Sequence, residues 1–419
     1  MLKSRLCIAF FAFAVGCAPA QKPLTDYVNP MLGTATLWDS VDLGFKPTKR
    51  TWGAEVFPGS SLPNAMVQVS PVTKFHSGAG YQYEDSVIYG FTHTNKGHWN
   101  LCHIPLLPVT GTPTPGDYCS PFSHERESAA PGYYQVFLDR YGVDAQLSST
   151  LRCAFHKYTY PAGAAASLLA DLQRSNEHVR AWDIRKEGDN VFAGWQQTGE
   201  KMYFYAVANR PVTGIEPVVE GDREVRIVRF GEGDGALELR IGFSFVSEKN
   251  ARENLEAEML GKSFAEVRSE ATATWNDLLG RIRVEGGTER EKGLFYSSLY
   301  RSFLWPALRS DVNGEFTDVD GKVINPGFRY YTGPSYWDDY RNKLILLGML
   351  APDVAADVIS SDTDKGEKRG GFMPTFFHGD HASAFVAGTY LRGNRGFDVN
   401  RAYNLVLRNA TVQGPSRPW

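Results

Sequence analysis

Two short stretches of the chain gather side chains able to hold a polar ligand and act on it. The first reads Gly333-Pro334-Ser335-Tyr336-Trp337-Asp338-Asp339-Tyr340-Arg341. An extended Gly-Pro-Ser run meets two adjacent carboxylates, which suit the positive end of a helix. Helix capping is one use of such carboxylates. The other is polyol binding: carboxylates accept from vicinal hydroxyls, a guanidinium donates to sugar oxygens, and an indole covers the apolar face of a ring. Arg341 follows Asp338 by three residues, so an intrahelical ion pair is a further use of that pair.

The second stretch reads Gly371-Phe372-Met373-Pro374-Thr375-Phe376-Phe377-His378-Gly379-Asp380-His381-Ala382. Its two histidines and one aspartate fall within four residues, beside a glycine that permits a turn or close backbone approach. His378, Asp380 and His381 suit metal ligation, proton exchange or hydrogen bonding to a ligand. Spacing alone leaves all three open. A third stretch, residues 57–71 running on to 77–94, is rich in Gly, Pro and Asn and reads as turns and strands.

These groups need a scaffold, and the hydrophobic pattern predicts one in two parts. Over residues 21–248, short apolar or alternating runs such as 65–69, 134–138 and 225–230 recur between turn-forming clusters. That is the pattern of a β-sandwich. Near residue 250 the period changes. Ser263-Phe264-Ala265-Glu266 forms a capping box, and Phe264, Val267, Ala271, Trp275, Leu278 and Ile282 make a helical stripe. Residues 249–287 therefore read as linker helices. Beyond them, 289–304, 338–350, 352–359 and 398–409 read as helices of a domain spanning 288–419. A sandwich, a linker and a string of helices is a multidomain β plus α order.

The chain has 419 residues, 44 Lys plus Arg and 47 Asp plus Glu, for a net charge of −3. Such a balance excludes a general nucleic-acid or membrane-surface binder held by bulk charge. Apolar residues are 42% and charged residues 22%, an ordinary globular composition rather than a disordered one. Residues 1–20 read as a signal peptide: Lys3 and Arg5, an apolar run, then Gly16-Cys17 in lipoprotein style. Cys17 would carry the lipid and provide the membrane attachment, which predicts an exported protein at the outer membrane or in the periplasm. The mature chain keeps Cys102, Cys119 and Cys153 beyond that position, enough for one disulfide at most, and their spacing matches no zinc pattern.

Taken in order, several stretches resemble the calcium-dependent exo-α-mannosidases of glycoside hydrolase family 92. They are residues 27–34 (Tyr27-Val28-Asn29-Pro30-Met31-Leu32-Gly33-Thr34), residues 57–71, Tyr89-Gly90-Phe91-Thr92-His93-Thr94, residues 295–301, 335–341, 371–374 and 379–398. The resemblance implies an N-terminal β-sandwich joined to an (α/α)6 barrel that is incomplete here. It implies removal of terminal α-linked mannose from glycans by an inverting, calcium-assisted route. The family's Trp-Asp-x-x-Arg motif maps onto Trp337, Asp338 and Arg341, with Asp339 alongside and His381 also at the substrate. In inverting enzymes an acid and a base stand about 6.5–9.5 Å apart around the attacking water.

Two departures accompany the resemblance. The family's glutamic acid lies in a longer loop than residues 374–379 provide, leaving Asp380, His378 or Glu367 as acid candidates. The family's base and most calcium ligands are expected beyond Trp419, so the chain reads as truncated within the barrel, poorly soluble and without hydrolysis of its own. The alternatives are a mannan-binding protein that has lost its acid and a related sandwich-plus-barrel glycoside phosphorylase.

Overall fold

The computed structural model describes residues 22–37, 41, 44–46, 53–96, 100–233, 235–375 and 379–414. The leader with Cys17, together with His378 and Trp419, lies outside the described residues. Two antiparallel sheets face each other over residues 60–244. The first contains seven strands in the order Ser60–Ser61, Gln68–Val72, Gly90–Thr92, Leu106–Val109, Ser167–Ala170, Arg223–Phe230, Val212–Glu220. The second contains eight, running from Ala181–Gly188 through Val191–Gln197, Lys201–Ala208, Leu237–Ser244, Cys153–Thr159, Val143–Ser149 and Tyr133–Leu138 to Glu127–Ala130.

Alternation decides which face of each strand is buried. In Lys201–Ala208, Met202, Phe204, Ala206 and Ala208 point into the core while the residues between them are only partly covered. The core also encloses a polar relay between the sheets. His93 Nδ1 lies 2.8 Å from Ile104 O, its Nε2 lies 3.0 Å from His156 Nε2, and His156 Nδ1 lies 2.5 Å from Tyr158 Oη. One proton order satisfies every member. Tyr158 donates to His156, His156 donates to His93, and His93 donates to the carbonyl. Both rings are fully buried, and burial lowers the pKa of His93 to about 3. His93 is therefore a neutral structural group.

Helix α1 (Glu248–Glu258) lies against the outer face of the eight-stranded sheet. Gly242 permits this approach, because a Cβ there would stand 2.1 Å from Ala251 O. Helix α2 (Phe264–Leu279) has the anticipated capping box between Ser263 and Glu266. Its stripe buries Trp275, whose Nε1 donates to Ser61 O at 2.7 Å and whose ring lies 4.4 Å from that of Tyr300. Helix α3 (Glu289–Ser302) opens with a second capping box, Thr288 with Glu291.

Five further helices follow: α4 (Tyr336–Asp339), α5 (Lys343–Leu350), α6 (Pro352–Lys368), α7 (His381–Leu391) and α8 (Val399–Thr411). The β-sandwich is thus followed by eight helices among the described residues, the arrangement of an incomplete helical barrel. The single helix anticipated over 338–350 is broken at Asn342, whose backbone leaves the helical region while its side chain caps α5. Helix α6 continues nine residues past the anticipated end at Ile359. Among the described residues no single helix is long and apolar enough to cross a membrane. Cys102, Cys119 and Cys153 are free thiols, and burial pushes the Cys102 thiol up to about 12.

The turn Pro63-Asn64-Ala65 sews the two parts together. Asn64 takes a left-handed φ of 52°, a conformation asparagine tolerates better than most residues. Its N–H donates to Phe303 O at 2.6 Å, its Nδ2 to Pro306 O at 2.8 Å, and its carbonyl accepts from Leu308 N at 2.9 Å. Gln68 Nε2 donates to Leu304 O at 2.7 Å, and Arg152 Nε to Ser310 O at 2.8 Å. Asp311 accepts from Ser244 and Asn254 at 2.7 and 2.6 Å.

Candidate functional site

Helix α4 is a single turn fixed by its first residue. Tyr336 is buried, and its hydroxyl donates to Asp362 Oδ2 on α6. Lys365 Nζ donates to the other oxygen of that carboxylate at 2.9 Å. With Tyr336 turned inward, steps of about 100° per residue carry the next two side chains outward. Trp337 is 46% exposed and Asp338 is exposed. Asp339 comes round to the inside, only 9% exposed, and Lys343 Nζ meets its Oδ2 at 3.1 Å. Of the two adjacent carboxylates, Asp338 is the one left facing solvent.

Because α4 closes at Asp339, Arg341 falls beyond it, and the intrahelical ion pair with Asp338 does not form. The Arg341 guanidinium lies instead over the Tyr340 ring, 5.1 Å from its centroid. It borders a groove of about 270 Å³ shared with Tyr340, Leu344, Phe385 and Arg392.

The second polar stretch meets the first at this point. The His381 ring stacks on Tyr340 with centroids 4.2 Å apart and planes 10° apart. Its Nε2 is buried with no hydrogen-bond partner among the described residues. Gly379 adopts φ 81°, and Asp380 then caps α7 by accepting the Ser383 N–H at 3.2 Å and the Ser383 hydroxyl. Asp380 is thus engaged as a helix cap. Glu367 lies elsewhere, at the end of α6, bound at both oxygens by Arg401 at 2.9 and 2.6 Å. The Arg401 guanidinium holds its carboxyl below the usual value, which suits an ion pair and not a proton donor.

A cleft of about 810 Å³ opens at the seam between the sandwich and the helices. The turn around Gln197–Lys201 contributes Glu200, and the helical part contributes Arg309, Tyr330, Gly333 and Asp362. The chain leaves this cleft at Gly333 and enters α4 three residues later, so Trp337 stands beside the cleft and outside its lining. Arg309 is 7% exposed, its Nε lacks a hydrogen bond, and Glu200 Oε2 stands 3.5 Å away. The Tyr330 hydroxyl is also unpaired among the described residues. Burial and the carboxylates of Asp364 and Asp362 push its pKa far up, so it stays a neutral donor.

Residues 27–253 match the glycosyl hydrolase family 92 N-terminal domain, and residues 250–419 match the glycosyl hydrolase family 92 catalytic domain. The chain belongs to glycosyl hydrolase family 92. Among solved structures, the family 92 α-mannosidase BT3965 of Bacteroides thetaiotaomicron is similar with a TM-score of 0.85 and 25% identity. That match covers 94% of this chain and 57% of the other. The inverting mannosidase BT2199 of the same organism gives 0.82 at 23% identity over 94% and 57%, a likeness of fold alone. An uncharacterized secreted glycosidase of Arthroderma benhamiae is 24% identical over 93% of this chain and 52% of its own length. The chain spans about half the length of the relatives it matches.

Calcium, which the family resemblance implies, asks for several oxygen ligands converging on one point. Among the described residues no group of three or more His, Cys, Asp or Glu converges in this way. Asp339 and Asp362 already have lysine partners. The described residues therefore do not fit the ion. Sequence reading found Trp337, Asp338, Arg341 and His381, which the fold does bring close together. Arg309, Tyr330 and Asp362, which line the seam cleft, come from separate segments and carry no local signature.

Proposed function

We propose that this protein removes terminal α-linked mannose from glycans outside the cytoplasm, and that Trp337, Asp338 and Arg341 hold the terminal sugar. The observation carrying this reading is the half-exposed indole of Trp337 with Asp338 facing solvent beside it. The buried Tyr336 turns both outward, on the helical turn that follows the cleft-lining Gly333. In that setting the indole covers the apolar face of a pyranose, Asp338 accepts from hydroxyls, and Arg341 donates to ring oxygens. One relative supports mannose as the sugar: BT3965 is an α-mannosidase, and one of its structures is a complex with mannoimidazole. An inverting course, with water attacking opposite the departing oxygen, belongs to this proposal. No step is routed through calcium, because the described residues do not gather around one. Export is proposed from the leader and from the secreted relative. Lipid attachment at Cys17, at the outer membrane or in the periplasm, is proposed from the leader alone.

A second reading, mannan binding without cleavage, is favoured by the state of two acid candidates. Asp380 caps a helix and Glu367 is held ionised by Arg401. Calorimetric titration with methyl α-mannoside tests the shared part of both readings. Binding is expected, with at least a tenfold loss in Trp337→Ala, about 1.4 kcal/mol. Absence of binding, or equal binding by the variant, overturns the site. Mannose release from aryl α-mannosides by the full-length protein decides between cleavage and binding alone.

A further inference from the structure

A second cleft, of about 1010 Å³, lies wholly within the sandwich domain. It is at the upper end of the about 300–1,000 Å³ range of ligand clefts. Its walls come from the turn at 74–76, the segment 173–182 and the hairpin turn at 222–223. These walls are tied to one another. His76 holds a left-handed φ of 60°, and its N–H donates to Asn176 Oδ1 at 2.8 Å, joining the first wall to the second. A non-glycine residue kept in that conformation costs free energy, and such strain clusters at binding sites.

The charge in this cleft is uneven. Four cations line it: Lys74, Arg174, Arg180 and Arg223. Arg223 is matched by Asp171, 2.6 Å away beneath the surface. Glu177 lines the cleft too, but its carboxylate accepts from Thr198 at 2.6 Å, faces His103 at 3.3 Å and is held at about 2. Among the described residues no carboxylate pairs with Lys74, Arg174 or Arg180. With Arg223 matched by Asp171, Lys74, Arg174 and Arg180 stand against the ionised Glu177 and Asp222, an excess of one positive charge.

Arg174 is the built element. Its guanidinium is half-buried, 5.0 Å from the Phe75 ring centroid and 5.1 Å from that of Tyr89, and Nη1 donates to Tyr118 Oη at 3.3 Å. The two rings and the Tyr118 hydroxyl hold the guanidinium between them. A fixed fork presents parallel N–H groups that match an oxyanion at two points, where a flexible lysine offers only a point charge. Trp182 adds an apolar surface at the rim, suited to the face of a sugar ring.

We propose that this cleft binds an acidic sugar, one whose ring carries a phosphate, sulfate or carboxylate group. Arg174 grips the oxyanion, with Lys74 and Arg180 adding field and Trp182 covering the ring. The site is distinct from the Trp337 site, and the inference stands whether or not the protein cleaves mannosides.

Calorimetric titration with glucose 6-phosphate, glucuronate, glucose and inorganic phosphate tests it, since none of these probes is a mannoside. Glucose 6-phosphate and glucuronate are expected to bind at least tenfold tighter than glucose, and the former at least tenfold tighter than inorganic phosphate. Arg174→Ala and Arg174→Lys each lose at least fivefold for the acidic sugars, and Arg180→Ala loses at least threefold. Trp337→Ala leaves their binding unchanged. Arg180 is exposed, so its variant keeps the test valid if the Arg174 variants fold poorly. Equal affinity for glucose, equal affinity for inorganic phosphate, or indifference to Arg180→Ala overturns the proposal.

Discussion

The buried pair His93 and His156 predicts how the protein meets acid. Burial lowers the His93 pKa from 6.5 to about 3, and burial together with the neighbouring His93 lowers that of His156 well below its ordinary value. Below pH 6.5 the unfolded chain takes up protons that the folded rings refuse, so stability falls as pH falls. At pH 5 the solution lies about 1.5 units below the unfolded pKa of His93. At 1.36 kcal/mol per unit this ring alone removes about 2 kcal/mol, rising to about 3 at pH 4. Asp311 acts in the opposite sense. Burial raises its pKa to about 6, so protonating it between pH 7 and 5 returns about 1 kcal/mol. The histidines win. Urea unfolding of wild type and His93→Gln at pH 7 and pH 5 isolates the ring. At pH 7 the variant is less stable by about 1–3 kcal/mol, because the relay is broken. Between pH 7 and 5 wild type should lose about 2 kcal/mol more than the variant. An equal loss in both proteins would refute the claim that His93 stays neutral inside the sandwich.

Three other substitutions follow from the same geometry. Asp311→Asn removes a carboxylate that resists ionisation, so wild type should gain about 2–3 kcal/mol relative to the variant as pH is lowered from 7 to 4; an unchanged difference by denaturant unfolding contradicts this. Trp275→Phe leaves a void and strands the Ser61 carbonyl, and should cost about 2–4 kcal/mol in the same assay; a cost below about 1 kcal/mol would show the site to be loosely packed. Glu367→Gln breaks a half-exposed pair with Arg401 and should shift stability by under about 1 kcal/mol. Its methyl α-mannoside affinity should match wild type, and a marked drop would return Glu367 to the site.

The fold was legible wherever local pattern and final burial agree. Alternation in 134–138 and 225–230 lies inside observed strands Tyr133–Leu138 and Arg223–Phe230. The capping box and stripe of α2 appear as written. Reading failed where long-range contacts overrule the pattern. Residues 65–67 precede their strand because the Asn64 turn is committed to the helical part. Helix α6 seemed to end at Ile359 because Ser361, Asp362, Thr363 and Asp364 are buried polar residues that mask its apolar period. The site was half legible. Trp337, Asp338 and Arg341 cluster after Gly333, and His381 follows Gly379 in a second short motif. The inward turn of Asp339 depends on where Tyr336 is anchored, a contact made 26 residues away. Arg309 and Tyr330 are placed by tertiary folding alone.

The stitching around Asn64 and Gln68 reaches beyond packing. A cut at the boundary near residue 250 would not release two finished modules. It would expose amides and carbonyls that each part finishes for the other, and Asp311 would lose the Ser244 hydroxyl. Neither piece exchanged into a foreign partner would find these mates again. The two parts are thus tied to melt together and to descend together.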